Sequence, residues 1–123
     1  LDSYLSLKHQ NIFSSNDYWT ILRPDVALLK HSYPGDPKFG NSKFWSLATG
    51  RRGVIQDGFK MKWHNLGPGR VQLRLGVAIV NQRAYLCDAY VKSSSQVDVR
   101  MMTRFAVRID FIRQNKQIER GLL

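Results

Sequence analysis

The sequence predicts an α+β domain: a mainly antiparallel sheet of four to five strands, with short N-terminal helices packed on one face. Three observations predict it. Apolar residues alternate with other types, at a period of two, over residues 71–80, 84–92 and 97–111, which is the pattern of half-buried strands. Clusters of Gly, Pro, Asn and Asp interrupt the chain where turns belong. The first third shows helix-start chemistry instead of alternation, and helices grouped at one end of an antiparallel pattern define the α+β class.

Along the chain, Asn16 is placed to cap a short helix through Tyr18, Ile21 and Leu22, and Pro24 to occupy the first turn of a second helix over 25–31. Residues 32–41, with two prolines and two glycines, read as loop. A weaker strand over 42–49 is followed by the basic turn Gly50-Arg51-Arg52-Gly53. Asp57-Gly58 supplies a turn before a strand over 59–64, where Phe59, Met61 and Trp63 oppose Lys60, Lys62 and His64. Gly67-Pro68-Gly69 ends it. In the next strand Val71, Leu73, Leu75, Val77 and Ile79 oppose Gln72 and Arg74. A three-residue loop, Asn81-Gln82-Arg83, then pairs Ile79 with Tyr85, Val77 with Cys87, Leu75 with Ala89 and Leu73 with Val91. A two-residue loop would put Asp88 and Lys92 on the apolar face, so the longer one is expected.

The longest alternation is 97–111. Its odd positions hold Val97, Val99, Met101, Thr103, Phe105, Val107, Ile109 and Phe111, and Arg100, Arg104 and Arg108 fall on even ones. A helix would wrap the odd set around its whole circumference, so the period predicts a strand with the arginines on its polar face. It is long for one strand, and a bulge is expected near Met102. The core then comprises Trp63, Leu73, Leu75, Val77, Ile79, Phe105, Val107, Ile109 and Phe111. Residues 114–123 read as a short helix or a frayed end. No repeat, low-complexity segment or linker divides residues 1–123, so a single domain is expected. Its start at Leu suggests excision or processing from a longer chain.

A hydrophobic share of 43% and 11% aromatics suit a folded chain of 123 residues. Charge is the unusual feature: 19 Lys+Arg against 9 Asp+Glu gives +10. That excess favours polyanions, either nucleic acid (RNA or DNA) or an anionic membrane surface. Cys87 is the single cysteine, which excludes an internal disulfide, and its place on an apolar strand face predicts a buried structural thiol. With no N-x-Ser/Thr sequon, an intracellular setting is expected. No apolar run approaches the roughly 18–20 residues of a membrane span.

If every strand turns its apolar side to the helices, the opposite surface carries Lys60, Lys62, His64, Arg74, Tyr90, Lys92, Arg100, Arg104 and Arg108. Such a face suits a phosphate backbone: the cations displace counterions, and Tyr90 or His64 stacks on an unpaired base. Arg51 and Arg52 reach a phosphate from the loop edge. The expected function is therefore non-catalytic nucleic-acid binding, with no cofactor or metal implied. Against it stands a merely solvated face paired with Asp88, Asp98 and Asp110. A self-assembling protein of the viral matrix or capsid type, acting as a homo-oligomer, is the alternative. A third reading comes from Pro24-Asp25 followed by Asp36-Pro37-Lys38, which formally resembles the PD…D-x-K signature of metal-dependent nucleases. The resemblance implies two carboxylates on Mg²⁺ and a lysine steadying a water. In that family the acids sit on adjoining strand ends, whereas here they are expected at a helix start and in a loop.

Overall fold

The structure, a computed structural model, describes Leu7 and residues 10–114. Four strands form one antiparallel sheet in the order β1-β2-β3-β4: β1 is Trp45–Gly50, β2 Gly53–Leu66, β3 Val71–Val80 and β4 Arg83–Val91. A helical run over 15–31, α1, precedes the sheet, and α2, Ser95–Arg113, follows it. Two separate cores show where the helices lie. Phe13, Leu22 and Leu29 pack with Phe44, Trp45, Met61, Trp63, Leu73, Leu75 and Val77. Met102, Phe105, Ile109 and Ile112 pack with Ala48, Ala78, Val80, Tyr85 and Cys87. The α+β class with N-terminal helices on one face is what the sequence predicts. The second face is covered as well, by α2.

Residues 97–111 therefore form a helix, not the predicted strand. Met102, Phe105, Ile109 and Ile112, three and four residues apart, are buried, whereas Val107 is 53% and Phe111 39% exposed. Those last two leave the predicted core, and Ile79 is only partly buried. Ser94 starts the helix by accepting a hydrogen bond from the Val97 amide, and Asp98 lies in the first turn. The reason parity failed lies in the sheet. Its α2-facing positions include Gly58, Gly76 and Ala78, which are neither polar nor bulky. A Cβ added at Gly76 would stand 3.0 Å from Phe105 Cδ1, and one at Gly58 3.0 Å from Phe105 Cε2. The two glycines make a seat for one phenyl ring, and the helix settles there.

Bulges account for the other departures. β3 and β4 join through a two-residue turn, with Asn81 at φ 52 and Gln82 at φ 66 and Val80 paired with Arg83, as a tight hairpin requires. Ile79 thus pairs with Ala84 and Val77 with Leu86, while Leu75 pairs with Ala89 and Leu73 with Val91 as expected. The register shift between Leu75 and Val77 reconciles the two. It lets Tyr85, Cys87 and Tyr90 all join the α2-side core. Asp57-Gly58 is likewise not a turn but part of β2, where the register with β1 slips and Asp57 takes φ 63. The Gly50-Arg51-Arg52-Gly53 hairpin is as predicted, with Gly50 paired to Gly53.

The two predicted N-terminal helices are one run: Ser15–Asp17, a π-helical turn Tyr18–Leu22, and Arg23–His31. Its cap is Ser14, not Asn16; the Ser14 hydroxyl accepts from the Asp17 amide at 3.0 Å, and the Asp17 carboxylate accepts from the Ser14 amide. Pro24 has no N–H to donate and crowds the carbonyl one turn back. The π-turn, closed by the Arg23 amide on the Tyr18 carbonyl, makes room for it. Of the tail predicted over 114–123, all beyond Gln114 lies outside the described residues.

Candidate nucleic-acid interface

Strand parity places Lys60, Lys62, Arg74, Tyr90 and Lys92 on one face, and the register agrees: Lys62 pairs with Arg74, and Arg74 with Tyr90. That face is the one α2 covers, so it is not an open platform. Lys60, Arg74 and Tyr90 are each less than a tenth exposed. From the first turn of α2, Asp98 accepts a hydrogen bond from Lys60 Nζ at 3.2 Å and a short one from the Tyr90 hydroxyl. Burial pushes the Asp98 carboxyl up, but the Tyr90 hydrogen bond and the Lys60 charge outweigh it and hold it below the usual range. Tyr90 is pushed up, first by burial and then by its bond to Asp98. A buried ring with a committed hydroxyl offers no stacking face, so the expected role of Tyr90 on an unpaired base is withdrawn. His64 is exposed but tied: Nε2 donates to the Lys43 carbonyl at 2.6 Å, and Nδ1 lies 2.8 Å from Gln72 Oε1.

Arg100, Arg104 and Arg108 sit on α2 four residues apart, so they form a cationic stripe down a helix instead of a strand's polar face. From first to last the stripe runs about 12 Å along the axis. Arg108 lies 3.7 Å from Asp88, a loose pair; among the described residues Arg100 and Arg104 have no carboxylate in ion-pair range. Thr103, Arg104, Val107, Arg108, Phe111 and Asp88 line a groove of about 320 Å³ between α2 and β4. Other described acids are occupied elsewhere. Asp110 pairs with Arg113 at 3.0 Å, and Arg113 also holds Asp57 at 3.0 Å, tying the end of α2 to the β2 bulge. Arg51 and Arg52 are exposed at the β1–β2 hairpin tip.

The nuclease-like residues do meet, as a clamp. Asp25 accepts from Lys38 Nζ at 2.6 Å and from the Trp63 indole at 2.8 Å, while Asp36 accepts from the Lys38 amide and caps the 3₁₀ turn Pro37–Gly40. The clamp joins α1 to β2. Among the described residues no three His, Cys, Asp or Glu side chains gather where they could hold a metal ion. Cys87 is buried as predicted, and burial pushes its thiol up to about 12. One exposed aromatic was missed: Trp19, 61% exposed, with the Arg23 guanidinium 5.1 Å from its ring centre. Its signal was available, since the inward stripe Tyr18, Leu22, Val26 and Leu29 leaves Trp19 on the other side. No described helix is long and apolar enough to cross a membrane. Comparison with protein-family models, curated proteins and solved structures yields no match in any of the three.

Proposed function

We propose that this domain binds nucleic acid, without catalysis, by laying the phosphate backbone against the outer flank of α2. The observation that carries the reading is the stripe of Arg100, Arg104 and Arg108, exposed or half-exposed, with a single loose carboxylate partner among them. Guanidinium groups donate in a planar fork that matches phosphate oxygens, and neutralised phosphates release condensed counterions. Arg51 and Arg52, exposed at the β1–β2 hairpin tip, add to the positive charge of the domain. Contacts of this kind to phosphate position the strand without choosing its sequence.

The test is a fluorescence-anisotropy titration of single-stranded and duplex oligonucleotides at several salt concentrations. In the R100Q/R104Q/R108Q variant the affinity should fall for every sequence. The log–log salt slope should flatten by about 2–3, since each phosphate contact contributes about 0.7–0.9. A variant that keeps both its affinity and its slope shows that the stripe is only solvated surface.

A second reading rests on Leu47 of the edge strand β1 and Val54 at the start of β2, both large apolar side chains that are exposed. Edge strands with such residues pair with further copies, and we read this as self-assembly through that edge. Light scattering should then show a mass that falls to the monomer's in the L47K variant; an unchanged mass contradicts it.

A further inference from the structure

A second cationic group lies apart from the helical stripe, where the sheet extends past the first turn of α2. Lys62 and Arg74 are directly paired on β2 and β3, and such partners stand about 4.5–5.5 Å apart between Cα atoms. Lys60 lies two residues from Lys62 on the same face, and Lys92 two residues beyond Tyr90, the β4 partner of Arg74. Four cations therefore converge on one patch. The carboxylate among them is Asp98, whose two oxygens are taken by Lys60 and Tyr90. Lys62, Arg74 and Lys92 are left without an acid in ion-pair range among the described residues.

Burial makes this arrangement costly. Arg74 is more than nine-tenths buried, and the hydrogen bond it makes within the protein is to its own neighbour's carbonyl, Leu73 O at 3.2 Å. Burial pushes the Lys62 ammonium down, and repulsion from Arg74, Lys60 and Lys92 pushes it further. Half-buried like charges held together by a sheet register are relieved by an anion that bridges them. The adjacent first turn of α2 adds the positive end of the helix dipole.

We propose that Lys62, Arg74 and Lys92 form a binding site for a phosphate monoester dianion, the terminal phosphate of a nucleic-acid strand. A monoester carries about −1.5 to −2 at pH 7, against −1 for an internal phosphodiester, and three unneutralised cations favour the higher charge. The near-complete burial of Arg74 points the same way, because a small terminal group reaches a recessed guanidinium more easily than a continuous backbone does. That the phosphate belongs to a nucleic acid rests on the function proposed above; the site itself does not.

The experiment compares one oligonucleotide bearing a 5′-phosphate, a 3′-phosphate or neither, by anisotropy, with inorganic phosphate titrated separately by calorimetry. The unaltered protein should bind one phosphorylated form at least about tenfold more tightly than the hydroxyl form, the scale of one or two charge-assisted hydrogen bonds. Inorganic phosphate should erase that preference. Lys62→Gln with Lys92→Gln should abolish the preference while keeping the affinity for the hydroxyl form; both side chains reach solvent, so folding is spared, and a circular-dichroism melt checks it. Equal affinity for all three strands, with no uptake of inorganic phosphate, overturns the site and leaves the α2 reading standing. Uptake of inorganic phosphate lost in the double variant, without binding of any strand, keeps the site for free phosphate and retires the nucleic-acid reading. Absence of both overturns both.

Discussion

The two faces of the sheet hold their helices by opposite means. On the α1 side large rings interlock: Trp45 stacks on Phe59 at 5.0 Å, Phe44 meets Trp63 edge-on at 6.4 Å, and Tyr33 and Phe39 extend the cluster. On the α2 side the sheet offers Gly58 and Gly76 to one ring, Phe105, with Ala48 and Ala78 in the same core, and at the far end Lys60 and Tyr90 meet Asp98 of α2. The first face spreads its packing over many contacts. The second seats one ring on two glycines within its apolar core and adds a charged cluster at one end, leaving the outer flank of its helix free to carry cations.

The largest consequence is at Phe105. Replacing it by Ala should cost about 3–5 kcal/mol in denaturant unfolding, whereas Val107→Ala on the same helix should stay within about 0.5 kcal/mol. Equal costs would show that the inner side of α2 is wrongly assigned. Filling the seat from below is the next test. Gly76→Ala places a methyl against the Phe105 ring and should cost about 1–3 kcal/mol. Gly40→Ala, with nothing within 4 Å of the added carbon, should be close to neutral.

Charge on the α2 face gives a smaller, pH-dependent term. The folded-state pKa of Asp98 is lowered, so its contribution is present above about pH 4 and is lost as pH falls through the lowered value. Asp98→Asn should therefore flatten the acid limb of stability. Tyr90 shifts the other way. Its contribution is full below about pH 10 and is lost as pH rises towards the raised value, so Tyr90→Phe should flatten the alkaline limb. Thermal melts from pH 2 to 11 read both limbs, and a variant that keeps the slope of the unaltered protein contradicts the assignment. The smallest effect belongs to the stripe: Arg100→Gln with Arg104→Gln should alter stability by about 0.5 kcal/mol or less.

The same contrast explains what could be read from the chain. The hairpin at Arg51-Arg52, the turn at Gly67-Pro68-Gly69 and the shared face of Lys60, Lys62, Arg74 and Tyr90 are local consequences of turn chemistry and of period two. Helix α2 was not legible from its own alternation, which happened to satisfy a strand. What decides for a helix is the room left by Gly58 and Gly76, two positions far away in sequence. The i, i+3, i+4 spacing of Met102, Phe105, Ile109 and Ile112 and the Ser94 cap were present, but parity outweighed them. The bulge opposite Gly76 was hidden for a related reason: it swaps the faces of β4 midway, so that odd and even positions both reach α2. Consequently the shared face of Lys60, Lys62, Arg74 and Tyr90 was legible, while the strand expected to carry Arg100, Arg104 and Arg108 beside them is a helix.

Placement of charge, as opposed to its amount, is the claim on which the binding reading stands. The direct test pairs two variants with equal change in net charge: Arg100→Glu with Arg104→Glu on α2, and Arg23→Glu with Lys30→Glu on α1. All four side chains are exposed, so both proteins should fold. Affinity for one labelled single-stranded oligonucleotide is measured from low to high salt. The α2 variant should lose at least about tenfold more affinity than the α1 variant, with a salt slope flattened by about 1.5–2. Equal losses and equal slopes in the two variants would mean that the net charge alone attracts the polyanion and that α2 is no binding surface.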